Sequence, residues 1–401
     1  MRVLGSADLE STVRAHMGEH LSSRVLAAAR RHPIMSSVLA FILLRGLDIV
    51  VFWLVARRRG ISLRDQLLGW DAGWLMNAAL HGWPHQLPRD AAGIVEQSTL
   101  PWPPMVPLLG RSVAPLLGDG DGGIGKALVA WNLIGGACAA ALLCLALLPF
   151  LGAGRALGTS ILWSALPATP VLAMGYSEGV FTAFAFASLW AMTRHRYLLA
   201  GMLLVPAGLT KVTALPFAVT LVIAVIIYRR QEGSVRMTWW RLVAAIGLAG
   251  LAVVAWPAIL AVRVGSWNAL TQSHTAWGRS PVPFKDVIEW VPATVRETVP
   301  NTAIGILVMT AYVVAAVVVA RDRRYPMPFR VLAVASPAFL LMVGPVLSTT
   351  REMLPNPALA AAIRGWIRSR WMLATVVAGL AVLGVGWIIL FAAAGPGSPP
   401  P

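Results

Sequence analysis

Residues 127–150 read ALVAWNLIGGACAAALLCLALLPF, without a single charge. At about 1.5 Å per residue, a helix of that length exceeds the ~30 Å hydrocarbon core of a bilayer. Further apolar runs cover 34–56, 156–174, 177–193, 197–210, 212–228, 242–263, 301–320, 329–347 and 371–394. A shorter one, 357–367, is too short for an unbroken span and reads as a half-span or re-entrant helix. Of the 401 residues, 57% are hydrophobic and 12% charged, and mean hydropathy is +0.70. A soluble domain carries about 25% charge, so a soluble enzyme, a disordered chain and a fibrous protein are excluded. An all-α polytopic membrane protein of ten or eleven spans is expected, because only lipid solvates a chain this apolar.

The net charge of +16 follows from the basic bias of cytoplasmic loops. No basic patch with interleaved aromatics points to nucleic acid. If the chain alternates sides and 357–367 crosses, nineteen of the 33 Lys+Arg fall in 1–33, 151–155, 194–196, 229–241, 321–330 and 364–370. That density places the N-terminus in the cytoplasm, although Arg57, Arg58 and Arg59 oppose it locally. The first apolar run is long enough to span and lacks a small-residue cleavage site after a short apolar core, so residues 1–33 are not read as a secretory signal. They read as a cytoplasmic segment, with 8–31 as an amphipathic surface helix. Residues 34–394 form one transmembrane domain and 395–401 a Pro/Gly-rich tail. Cys138 and Cys144 share one apolar run, which supports neither a disulfide framework nor a cysteine metal site.

Two long loops, 57–126 and 264–300, fall on the outer side and carry seven tryptophans, Trp70, Trp74, Trp83, Trp102, Trp267, Trp277 and Trp290. Long loops in compact proteins usually have functions. In the first, Gly69-Trp70-Asp71-Ala72-Gly73-Trp74 opens a helix continuing through Asn77 and Leu80. Asp71 can cap that helix, or it can serve as a general base in a partly dry pocket. His81 and His85 are four apart, but Gly82 and Pro84 break any helix that would pair them on a metal. The stretch Glu96-Gln97-Ser98-Thr99-Leu100-Pro101-Trp102-Pro103-Pro104-Met105-Val106-Pro107 stiffens the loop and starts the next element. Residues 120–127, GDGGIGKA, lack the Ser or Thr of a phosphate-binding loop, because Ala127 stands there. They read as a flexible turn, as does Asp119-Gly120-Asp121.

Further along, Gly175-Tyr176-Ser177-Glu178 starts a membrane helix on a carboxylate. Its role is charge complementarity at a helix N-terminus or function at membrane depth. Leu209-Thr210-Lys211 interrupts an apolar run, and Arg351 lies in the last outer loop. Lys211 either snorkels or meets an anion.

The order of these pieces resembles the PIG-V-type mannosyltransferases, the family of glycosylphosphatidylinositol mannosyltransferase 2, with bacterial members common in actinobacteria. The resemblance rests on Trp70-Asp71-Ala72-Gly73-Trp74, Glu96-Gln97-Ser98-Thr99 with Trp102-Pro103-Pro104-Met105-Val106-Pro107, Tyr176-Ser177-Glu178 and Leu209-Thr210-Lys211. It covers residues 38–230 well and the remainder loosely. It implies a GT-C bundle with an extracytoplasmic active site in the plasma membrane. The implied donor is a polyprenyl-phosphate sugar, usually mannose, and the acceptor is a glycan, glycolipid or protein. No cofactor and no metal are implied, and the essential acid of the first outer loop maps to Asp71. The sequence departs from the family at Leu75, at Lys211-Val212, where Arg-Pro is usual, at Trp102–Pro107 and at Arg351-Glu352.

The chemistry follows as an expectation: inversion at the anomeric carbon, with Lys211, Arg351 and Arg279 holding the donor phosphate. Trp70, Trp74, Glu96, Gln97, Trp102, Tyr176 and Glu178 would surround the substrates. Two other readings compete. A transporter or flippase of lipid-linked sugars would use Arg45, Asp48, Glu178 and Lys211 as a path, and an inactive scaffold would keep the same fold.

Overall fold

The computed structural model describes residues 29–232, 239–278, 300–343 and 348–393, with isolated positions between 280 and 289. The expected helix over 8–31, Arg279, Trp290 and the tail lie wholly or largely outside the described residues. The helices are α1 (Pro33–Arg58), α2 (Leu63–Leu67), α3 (Asp71–His81), α4 (Met105–Leu117), α5 (Gly120–Leu151), α6 (Ala153–Ser164), α7 (Glu178–Thr193) and α8 (Tyr197–Gly208). They continue with α9 (Leu215–Glu232), α10 (Trp239–Val264), α11 (Ala269–Thr275), α12 (Pro300–Arg321), α13 (Met327–Val343), α14 (Thr349–Glu352), α15 (Ala358–Trp366) and α16 (Arg370–Ala393). No strand occurs among the described residues, only an isolated bridge between Arg89 and Val95. By length and composition α1, α5, α10, α16 and the segment Val212–Arg230 can each cross a membrane, and α4, α8 and α13 are shorter apolar helices.

Two traverses are broken. The run 156–174 is not one span: α6 stops at Ser164, and a 3-10 turn, Thr169–Ala173, completes the passage to α7. The carbonyls that this break leaves open are taken by side chains, as backbone in lipid requires. Arg45 donates to the Ser164 and Thr169 carbonyls, and Asn132 Nδ2 to those of Val171 and Met174, at 2.9 and 2.8 Å. The second broken traverse is α14 with α15. The nine residues of α15 reach only about 14 Å, far short of a bilayer. Yet Arg351 in α14 lies beside Asp71, while Arg364 in α15 lies beside Gly158 in α6. The stretch therefore passes from one end of the bundle towards the other, helix by short helix. Trp163 Nε1 donates to the Leu354 carbonyl at 2.8 Å, tying one break to the other.

The glycine-rich segment 120–127 is helical, correcting the expected flexible turn. Gly118, at φ +136°, turns the chain, and the first turns of α5 then bury Ile124 and Leu128 against Val106 and Ala114 of α4. Burial of apolar side chains outweighs the entropy of fixing glycines there. At the other close crossing, α5 meets α7 at Gly135 and Gly179, where a Cβ on either would collide with the facing backbone. Asn132 Oδ1 accepts from the Gly179 amide. This approach fixes the N-terminus of α7, and with it Glu178. The first long loop is largely helical, since α2, α3 and α4 fold back onto the bundle.

Candidate active site

The N-cap residue Trp70 makes no side-chain capping bond, and Asp71 is the acidic residue of the first turn of α3, yet the carboxylate of Asp71 is not spent on the helix alone. Asp71 Oδ2 accepts a hydrogen bond from Arg351 Nη1. The chain enters α3 through Trp70 at φ 51° and ψ −118°, a conformation that bulky L residues rarely adopt. Trp70 is held against Phe391 of α16, ring centroids 4.2 Å apart. Strain of this kind persists where packing over-determines it, and it gathers at functional sites.

Glu178 is the first residue of α7, and its side chain is 1% exposed. One oxygen accepts from Lys211 Nζ at 2.9 Å and lies 3.6 Å from Arg351 Nη1. The other accepts from the Ser177 amide at 3.1 Å. Lys211 stands in extended backbone in the gap between α8 and the 3-10 turn Val212–Ala214. Its Nζ also reaches Glu352 Oε1 at 3.2 Å. The result is one continuous chain of charge, Asp71–Arg351–Glu178–Lys211–Glu352, with three carboxylates and two cations. Burial works against the Lys211 ammonium, but Glu178 and then Glu352 outweigh it and hold its pKa above the ordinary lysine value. Arg351 behaves alike: burial lowers its pKa, while Asp71 and Glu178 raise it further than burial lowers it. Burial, with Asp71 next, pushes the Tyr176 hydroxyl well above its usual range. Both cations therefore stay charged at neutral pH.

The cluster borders a cavity of about 240 Å³ lined by Trp70, Asp71, Trp74, Trp102, Lys211 and Arg351 among others. Trp74, Trp102 and Trp277 pack on one another with centroids 4.9–5.6 Å apart and form one wall. The Trp277 indole N–H and the Thr213 hydroxyl, both lining the cavity, are buried without a hydrogen-bond partner among the described residues.

Most residues expected at the site converge here. Tyr176 is fully buried behind it, with the Arg351 guanidinium 5.4 Å above its ring. Glu96 and Gln97 do not line the cavity. Residues 88–96 fold outward around the Arg89–Val95 bridge, with the Glu96 amide bonded to the Pro88 carbonyl. Gln97 is exposed and bonds the Ala276 carbonyl at 3.4 Å. The sequence reading missed His274, Thr213 and the role of Glu352, which it met only as a departure beside Arg351. Their signal was position: Thr213 starts an apolar run, Glu352 follows one and His274 lies in the second long loop, all lining the same cavity as Asp71.

No family model matches the chain, and none of the curated proteins matches it in sequence. Solved structures do. The crystal structure of ArnT from Cupriavidus metallidurans bound to undecaprenyl phosphate superposes with a TM-score of 0.53 at 15% identity, over 88% of this chain and 70% of that one. The oligosaccharyltransferase of Archaeoglobus fulgidus in its apo form gives a TM-score of 0.51 at 11% identity, over 90% of this chain and 56% of that one. At such identities the likeness is one of fold, and the fold is the GT-C membrane bundle that these two structures share.

Proposed function

We propose that the chain is a membrane glycosyltransferase that moves a hexose, mannose in the first place, from a polyprenyl-phosphate donor to an extracytoplasmic acceptor. The observation that carries this reading is the convergence of Asp71, Arg351, Glu178, Lys211 and Glu352 on one cavity between helix ends. The GT-C fold supports it, as does the lipid phosphate in the ArnT structure. The PIG-V-type motifs favour mannose and rest on sequence resemblance. Arg45 and Asp48, half of the path that a transporter would need, are instead spent on the break after α6.

In this proposal Arg351 and Lys211 take the donor's phosphate oxygens, the arginine through two N–H groups and the lysine as a point charge. Both cations are already bound to carboxylates, so the phosphate must compete for them. Phosphate binding at Arg351 displaces Asp71 from the guanidinium and frees its carboxylate. Phosphate binding and release of the base are thus one event. Asp71 then takes the acceptor's hydroxyl proton, the acceptor oxygen bonds to the anomeric carbon, and the carbon–phosphate oxygen bond breaks. Polyprenyl phosphate leaves and the anomeric configuration inverts. The unpartnered Trp277 N–H and Thr213 hydroxyl supply hydrogen bonds to sugar oxygens, because a buried polar atom left alone costs about 1–3 kcal/mol.

Membranes carrying the chain, incubated with radiolabelled polyprenyl-phosphate mannose, are expected to yield labelled product that control membranes lack. Absence of label would refute mannose, and absence with every lipid-linked hexose would refute transfer. The sidedness is tested by cysteines at Ala91 and Arg323, both exposed. In intact cells the first is expected to react with an impermeant thiol reagent and the second to be protected.

A further inference from the structure

The bundle has a larger cavity, and it is not at the candidate active site. A groove of about 850 Å³ opens where α5, α7, α9, α12 and α13 come together, lined by Phe150, Met192, Ile223, Ile227, Val331 and Val334 among others. It falls in the size range of ligand clefts, roughly 300–1,000 Å³. The site lies at the start of α7 and the groove at its end, so the two occupy opposite ends of the bundle.

One end of the groove is polar. His195, Tyr197, Tyr228 and Arg330 line it with the apolar side chains. His195 stands at φ 56°, which is uncommon outside glycine. Its ring is held by the Tyr197 hydroxyl, 3.0 Å from Nδ1, and by the Tyr228 ring at 5.3 Å. Arg330 uses Nε to bond the Ala320 carbonyl at 2.8 Å, leaving the rest of its guanidinium for another partner. The segments around this rim, 194–196, 229–232 and 321–330, carry eight arginines against Glu232 and Asp322. Asp322 is already paired with Arg324 at 2.7 Å.

An apolar trough between membrane helices that ends in an aromatic and arginine-rich rim matches one class of ligand. We propose that the groove binds an anionic phospholipid, its acyl chains along Ile223, Ile227, Val331 and Val334 and its phosphate at Arg330 and His195. Charge complementarity selects the headgroup, since juxtamembrane basic clusters attract anionic lipid. The apolar trough selects a lipid over a soluble phosphate. The bound lipid would bridge the α7–α8 and α12–α13 turns, and it belongs to the leaflet opposite the glycosyl-transfer site.

The test uses the purified full-length chain in a neutral detergent, with thermal stability and native mass spectrometry as readouts. Phosphatidylglycerol is expected to raise the melting temperature and to remain bound. Phosphatidylcholine with the same chains, and glycerol phosphate alone, are expected to do neither. Two variants are expected to lose the effect while folding normally: Arg330→Gln, which keeps a donor for Ala320, and Val334→Trp, which fills the trough from an exposed position. Arg58→Gln, an exposed residue at the far end of α1, is expected to keep it. An equal response to phosphatidylcholine, an undiminished response in Val334→Trp, or an equal loss in Arg58→Gln would overturn the proposal.

Discussion

Arg45 and Asp48 in α1 are buried about as deeply as Arg351 and Glu178, and each pair contributes opposite charges at ion-pair distance. The difference lies in what else the charges touch. Arg45 donates to the two carbonyls exposed by the end of α6 and to the Thr169 hydroxyl. Its charge serves the backbone, and no ligand could take its place without opening the break. Among the described residues the hydrogen-bond partners of Arg351 and Lys211 are carboxylates, on the wall of a cavity, and the Asp71 side chain is 24% exposed there. A carboxylate can be exchanged for a phosphate oxygen; a helix end cannot. Burial and pairing alone do not mark a functional charge, whereas an exchangeable partner beside a cavity does.

That contrast gives variants with opposite signatures. Arg45→Met leaves Asp48 buried beside unsatisfied carbonyls and is expected to cost about 3–5 kcal/mol. With total stabilities of about 5–15 kcal/mol, folded protein should be scarce in size-exclusion profiles; a well-expressed, stable variant would move Arg45 out of the structural class. Lys211→Met is expected to do the reverse. Glu178 keeps Arg351 nearby, so the protein should accumulate normally while transfer falls roughly 10²–10³-fold, as for loss of one preorganised charge partner. Lys211→Arg, which keeps a cation at this position, should retain transfer, and equal loss of protein in both variants would make Lys211 structural.

Gly179→Ala probes the scaffold beneath the second cluster. Its methyl group would meet the Asn132 backbone, and overpacking of this kind costs about 1–3 kcal/mol. Lower melting temperature and slower transfer should appear together, because the same crossing places Glu178. Asp322→Asn marks the small end of the scale. The Arg324 hydrogen bonds hold the Asp322 carboxyl below its usual pKa, so its contribution is present at neutral pH and fades as pH falls through that lowered value. At an exposed turn it is worth at most about 1 kcal/mol, and the melting temperature at pH 7 should hardly move.

The same contrast explains what the sequence could and could not reveal. Apolar runs announce most membrane helices by length, and Trp70-Asp71, Glu178, Lys211 and Arg351 stand out because charge at the ends of such runs is rare. The break at Ser164 carries no comparable mark. Residues 156–174 hold no charge, only the helix breakers Pro167 and Pro170, and the donor that takes the open carbonyls is Arg45, over a hundred positions earlier. Likewise GDGGIGKA looks like a turn until α4 is placed beside it. The Glu96-Gln97 pair was drawn to the site by sequence order, but the bridge from Arg89 to Val95 turns it outward. Local pattern reports local structure; long-range exchange of hydrogen bonds has to be seen.

The central claim is that Asp71 acts as a base at an exchangeable ion pair. Asp71→Asn tests it most directly, since Asn caps a helix about as well as Asp and can still accept from Arg351, but cannot take a proton. Measured with the labelled lipid-linked sugar on membranes of matched protein content, transfer is predicted to fall by about 10²–10⁴-fold with an unchanged melting temperature. Near-normal transfer by Asp71→Asn would contradict the account and turn attention to Glu178 and Glu352.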